Sequence, residues 1–131
     1  MTGKPETVLM ATAAVFVAAA TGLGAYASHG LEGVLDPGAL HSLETAINYQ
    51  FFHSLGLLGV CIVCERRQNS LLLLVAGIAI AAGIVLFCGG VYASSFDGPG
   101  WISRLAPIGG VSLIIGWLLV AIGVVASAAS R

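Results

Sequence analysis

The sequence predicts an all-α membrane protein, a bundle of four transmembrane helices with little outside the bilayer. Three observations carry that prediction. Hydrophobic types make up 58% of the 131 residues and charged ones only 8%, against about 25% charged in an ordinary soluble domain. Every charge lies outside four long apolar stretches, and each stretch can supply the roughly 20 helical residues that cross a hydrocarbon core of about 30 Å. Glycine is abundant, at 18 residues, which suits helices whose backbones pack closely in lipid.

Taken in order, the first span covers residues 7–28 and carries no charge. Its Ala25-Tyr26-Ala27 resembles a signal cleavage site, but the apolar run exceeds the roughly 7–15 residues of a secretory signal, so a retained helix is expected. The first outer loop carries His29, Glu32, Asp36, His41 and Glu44 but no Lys or Arg. Asp36-Pro37-Gly38 is a turn signal. From Ala39 onward there is no breaker, so a short helical extension in this loop is expected to run into the second span, 46–64. That span ends at Glu65-Arg66-Arg67, and the connection to Asn69 is short enough to make helices two and three antiparallel neighbours.

The third span covers 70–96 and the fourth 105–130. Between them Asp97-Gly98-Pro99-Gly100-Trp101 reads as a tight turn, with a tryptophan where interfacial aromatics sit. Pro107 suits the first turn of the last helix, where a missing N–H costs little. A charge at a span centre would cost about 2.5–3.5 kcal/mol, and none is present. Membrane strands would alternate apolar and polar residues in segments of about 10, which these continuous runs do not. With no polar block longer than a loop, residues 1–131 make one domain.

Charge also bounds partners and orientation. A formal net charge of -1 leaves no basic patch for nucleic acid. Lys4, Arg66, Arg67 and Arg131 share one side of a four-span topology, and Arg104 stands alone on the other. The positive-inside rule then puts both termini in the cytoplasm. Cys61, Cys64 and Cys88 lie within apolar runs and read as small buried side chains. Cys61-Ile62-Val63-Cys64 has C-x-x-C spacing but lacks the polar surroundings that activate a redox pair. Gly24-Ala25-Tyr26-Ala27-Ser28 and Gly90-Val91-Tyr92-Ala93-Ser94 close helices one and three alike. The match points to two pseudo-repeated helical hairpins related by an axis along the membrane normal.

The polar residues of helix two need an explanation. His41, Thr45, Tyr49 and His53 recur at i+4 and form a stripe, with Gln50 beside it. Polar groups entering a membrane must face other helices or a wet cavity. With Tyr92, and with His29 at a similar depth, they make a candidate polar cluster of His29, Tyr49, Gln50, His53 and Tyr92. Three readings are open: interhelical glue, a pocket, or simple interfacial placement. No H-x-x-x-H pair or carboxylate stands at metal-ligand spacing, so no metal and no cofactor is expected. There is no nucleophile–base pair and no phosphate-cradling loop. Gly89-Gly90 and Gly109-Gly110 follow no strand and read as close-packing positions.

Several words of the sequence occur in a known order. Gly24-Ala25-Tyr26-Ala27-Ser28-His29-Gly30-Leu31 closes helix one; Thr45-Ala46, Tyr49-Gln50 and His53 open helix two. Phe87-x-Gly89-x-x-Tyr92 closes helix three, and Pro107-Ile108-Gly109-Gly110 with Gly116-Trp117 marks helix four. Together they resemble the YgdD-like family of small membrane proteins, a domain-of-unknown-function family of bacteria with relatives in animals. Tyr26-Ala27 stands where Phe-Gly is more usual, and Cys88 where a small residue such as Ser is common. The resemblance covers nearly the whole chain and implies a bacterial inner-membrane protein of four helices. It implies no reaction. Its motif positions here are His29, Tyr49, Gln50, His53, Tyr92, Pro107, Gly109, Gly110 and Trp117, with Gly24, Gly30, Thr45 and Gly89 as further structural positions.

The functional expectation is a non-enzymatic structural or accessory component of a membrane assembly, self-associated or a subunit of a larger complex. Minimal loops, small-residue faces such as Gly77-x-x-x-Ala81, and the lack of a catalytic constellation motivate it. The alternative is a binding or transport module for a small ligand, lipid, quinone or metal, using the His/Tyr/Gln cluster near the outer face.

Overall fold

A computed structural model describes residues 3–68 and 70–130. Asn69 of the inner connection and Arg131 of the charge count lie outside them. The described residues are all helix and turn, with no strand. The elements are α1 (Pro5–Gly30), α2 (Pro37–Arg66), α3 (Leu71–Ser95), the one-turn α4 (Gly100–Ser103) and α5 (Ala106–Ala129). Four segments are long and apolar enough to cross a membrane: Pro5–Gly30, Pro37–Arg66, Leu71–Ser95 and Gly100–Ala129.

Local chemistry sets the ends. Proline occupies the first turn of α1, α2 and α5, where its absent N–H removes a donor that would be unpaired anyway. The Asp36 carboxylate accepts from Gly38 N at 3.1 Å and Ala39 N at 3.3 Å, so α2 starts at Pro37, earlier than the expected Ala39. Its 30 residues span about 45 Å at ~1.5 Å each, more than the hydrocarbon core needs. The surplus is the extension in the outer loop. Leu31, Leu43, Ala27 and Ile47 bury there as a small apolar cap.

After α3 the chain reverses through Asp97, whose φ of 53° is left-handed, and Gly98 N donates to Ala93 O at 2.6 Å. That is an αL helix stop made without glycine. A tight turn was expected through Trp101. The structure turns only as far as Pro99, and Trp101 rides on α4, 66% exposed.

The four long helices pack in the order α1, α2, α3, α5. α3 meets α5 most extensively, α1 leans on α2, and α2 and α5 hardly approach along their backbones. The middle helices are accordingly the buried ones: 39% of the apolar window of α2 and of α3 is buried, against 11% for α1 and 22% for the last span. Each sequence hairpin is therefore also a packed pair, as are the two middle helices between them.

Glycine makes the α3–α5 approach possible. A Cβ on Gly109 would strike the Phe87 backbone nitrogen, and one on Gly116 would lie 2.7 Å from Ile80 Cγ1. Ser112 Oγ donates across the same interface to Ala79 O at 2.7 Å. Of the two glycine pairs read as packing positions, one member of each does the packing. Gly90 lies against Ala106 and Gly109 against Phe87, whereas a Cβ on Gly89 would meet nothing within 4 Å. Leu57, Val60, Cys61, Ile80, Ile84, Cys88 and Leu113 form the core between the middle helices and α5. The three cysteines are free and buried.

Candidate functional site

The polar residues of α2 divide into two sets. Gln50, 5% exposed, turns into the bundle. Its Nε2 donates to Phe16 O on α1 at 2.8 Å, and its Oε1 accepts from the Tyr92 hydroxyl on α3 at 2.6 Å. One amide thus ties three helices together with its carbonyl and one N–H engaged. Cys88 Sγ lies 3.4 Å from Ala46 O nearby. This set is glue of the kind that fixes which helix faces meet in lipid.

His53 belongs to the other set. Trp117 on α5 donates from Nε1 to His53 Nδ1 at 2.9 Å. Tyr49 stacks on His53 at 5.5 Å between ring centroids and tilts against Phe87 of α3 at 5.2 Å. Gly56 makes room for this arrangement, since a Cβ there would lie 2.5 Å from Trp117 Cη2. A histidine nitrogen that accepts from an indole is unprotonated, so the imidazole carries its hydrogen on Nε2. Nε2 and the Tyr49 hydroxyl make no hydrogen bond with the described residues.

These rings wall a cavity. Because α2 and α5 stand apart, a cleft of about 520 Å³ opens between them, lined by Tyr49, His53, Phe87, Gly110, Leu113 and Trp117, among others. Above it a second cavity of about 430 Å³, sharing Phe87, is lined by His41, Thr45, Gly90 and Pro107. The His41–Thr45–Tyr49–His53 stripe therefore follows one seam from the outer loop inward. His53 stands thirteen residues before Arg66 and Trp117 twelve before Ala129, about 18–20 Å along their helices at ~1.5 Å per residue. Their hydrogen bond thus lies about 10–12 Å inside the outer edge of a core of about 30 Å.

The remaining expected residues fall as follows. His29 is exposed in the last turn of α1 and does not join either set. Gly30 lies under the Tyr26 ring, and Gly24 faces Ile47 of α2 at ordinary contact distance. Thr45 Oγ1 donates to His41 O at 2.9 Å. Among the described residues no three of His, Cys, Asp and Glu converge to hold a metal ion. Sequence reasoning missed Gly56 and Phe87 as site residues. It named Trp117 but did not link it to His53, although Gly56 lies one turn from His53 and was open to notice.

Four apolar membrane-length helices, short connections and polar groups concentrated along one interhelical seam define a small polytopic membrane protein. A family described as "Protein of unknown function (DUF423)" matches residues 23–110, and the chain belongs to that family. It is 35% identical over 106 residues to the UPF0382 membrane protein YwdK of Bacillus subtilis, covering 81% of this chain and 86% of the relative. A UPF0382 membrane protein of Haemophilus influenzae is 38% identical over 101 residues, 77% of this chain and 80% of that one. The UPF0382 inner membrane protein YgdD of Escherichia coli is 32% identical over 111 residues, 85% and 81% of the two chains. The resemblance read from scattered motifs is thus a family relationship. No solved structure matches the chain.

Proposed function

We propose that the protein is a non-enzymatic component of a membrane assembly, docking a further transmembrane helix on the outward face of α1. The supporting observation is a contrast between the two edge helices. The exposed face of α1 carries Thr7, Ala11, Ala14, Ala18, Gly22 and Ala25 at three- and four-residue steps, with Val8, Val15 and Tyr26 as its larger exposed side chains. The exposed face of α5 carries Ile108, Ile114, Ile115, Leu118, Ile122 and Val125. Bulky side chains suit acyl chains; small ones let a second helix backbone approach. The inward face of α1 buries Ala13, Ala20 and Ala27, with Leu9, Met10 and Phe16 packed partly buried against the core.

The occupant is a second copy of this chain or a helix of another subunit, and both termini face the cytoplasm. Lys4, Arg66 and Arg67 at one end of the bundle against Arg104 at the other support that orientation. The test is crosslinking in native membranes through Ala18→Cys in a cysteine-free background, with Ile115→Cys on α5 as control. A discrete product from Ala18→Cys alone, lost when Gly22→Leu is added, is the expected result. Equal, diffuse products from both positions, with monomer on native mass spectrometry, would sink the reading. A C-terminal green fluorescent protein fusion that stays dark would overturn the orientation.

A further inference from the structure

The cleft between α2 and α5 lies away from the α1 face and is independent of the assembly reading. We infer that it is a binding site for a lipid-soluble quinone, a flat ring with carbonyl acceptors at its edge. Four features converge on that chemistry. Its walls are aromatic, with Tyr49, Phe87 and Trp117 around the opening, and flat rings stack on such walls. Two of its lining residues carry donors that no described residue accepts, the Nε2–H that Trp117 enforces on His53 and the Tyr49 hydroxyl. A carbonyl acceptor complements both. Its volume, about 520 Å³, lies within the usual range of small-molecule sites, roughly 300–1,000 Å³.

Depth separates the quinone from the other carbonyl-bearing molecule of the bilayer. The ester carbonyls of a diacyl lipid sit at the edge of a core of about 30 Å, whereas His53 stands about 10 Å inside it. A quinone ring carries its acceptors to that depth on an apolar body. Tyr49 and Leu118, both exposed, flank the opening, so the ligand enters sideways from the membrane with its tail trailing into lipid. Gly110 forms part of the floor, and a Cβ there would touch only Phe87 Cδ2, at 3.8 Å. That glycine leaves the cleft open without being required by the α3–α5 approach, which Gly109 provides.

The test uses the full chain in detergent with Trp101→Phe, which leaves Trp117 as the only tryptophan. Decylubiquinone is titrated while the fluorescence of Trp117 is followed. Saturable quenching is expected, about tenfold weaker in His53→Phe, the loss that one ordinary hydrogen bond brings, and absent in Gly110→Leu. Circular dichroism melting checks that both variants fold, and either one alone suffices. Quenching that rises linearly with quinone and equally in all three proteins reports partition into the micelle and overturns the inference. A phospholipid adduct on native mass spectra that His53→Phe removes and quinone does not displace also overturns it, because the cleft then seats an acyl chain.

Discussion

Gln50 and His53 stand one turn apart on α2, and the bundle treats them in opposite ways. Gln50 points toward α1 and α3, which close around it, and both of its heavy polar atoms are bonded within the protein. His53 points toward α5, which stands off, and only one of its nitrogens is engaged. A satisfied polar group in lipid locks a packing arrangement; a half-satisfied one beside a cavity is available to a ligand. The difference lies in the neighbouring helix, because each side chain offers at least one donor and one acceptor.

Among changes to the polar residues, breaking the closed side gives the largest expected effect. Gln50→Leu keeps the volume but removes both interhelical bonds and strands the Tyr92 hydroxyl in the interior. The expected loss is about 2 kcal/mol, read as earlier unfolding in sodium dodecyl sulfate by circular dichroism. An unchanged midpoint would show that the three-helix tie is incidental. The next effect lies at the boundary of the two sets. Gly56→Ala puts a Cβ 2.5 Å from Trp117 Cη2, so the indole must swing away from His53. About 1 kcal/mol is expected from the overpacking, with a shift of the Trp117 emission that Gln50→Leu does not cause.

Opening the other side costs less. His53→Phe retains the ring packing with Tyr49 and loses one hydrogen bond, for which membrane interiors average about 0.6 kcal/mol. A loss as large as that of Gln50→Leu would mean that His53 is structural glue after all, and the contrast between the two residues would collapse.

Much of this was legible in the residues. Four charge-free runs gave the spans, Pro107 gave a helix start, and the i+4 stripe on helix two gave the seam. Asp36-Pro37, by contrast, read as a turn and is the cap of α2. Which face of a helix meets which neighbour was not legible. Helices apolar all round carry no inside-to-outside periodicity, and Ala and Gly occur on the exposed and the buried face of α1 alike. The single expected cluster therefore divided into two, and His29 remained outside both. Gly56 acquires its meaning only from Trp117, a partner far along the chain. Trp117 itself read as a motif residue until the α2–α5 gap brought it to His53.

The smallest expected effect on stability is also the sharpest test of the contrast. Gly110→Leu adds a side chain on the cleft side of α5, where the first added carbon meets only the far edge of the Phe87 ring. Gly109, one residue earlier, faces the Phe87 backbone and admits no such change. Replacing a mid-helix glycine recovers up to about 1 kcal/mol of helix propensity, and the leucine buries its apolar surface in a space of about 520 Å³. Gly110→Leu should therefore unfold no earlier than the wild type, and slightly later if the leucine packs against Trp117. Gly109→Leu should fail to assemble α3 against α5. If Gly110→Leu were instead as damaging as Gly109→Leu, the space between α2 and α5 would be closed in the membrane. His53 would then be as enclosed as Gln50.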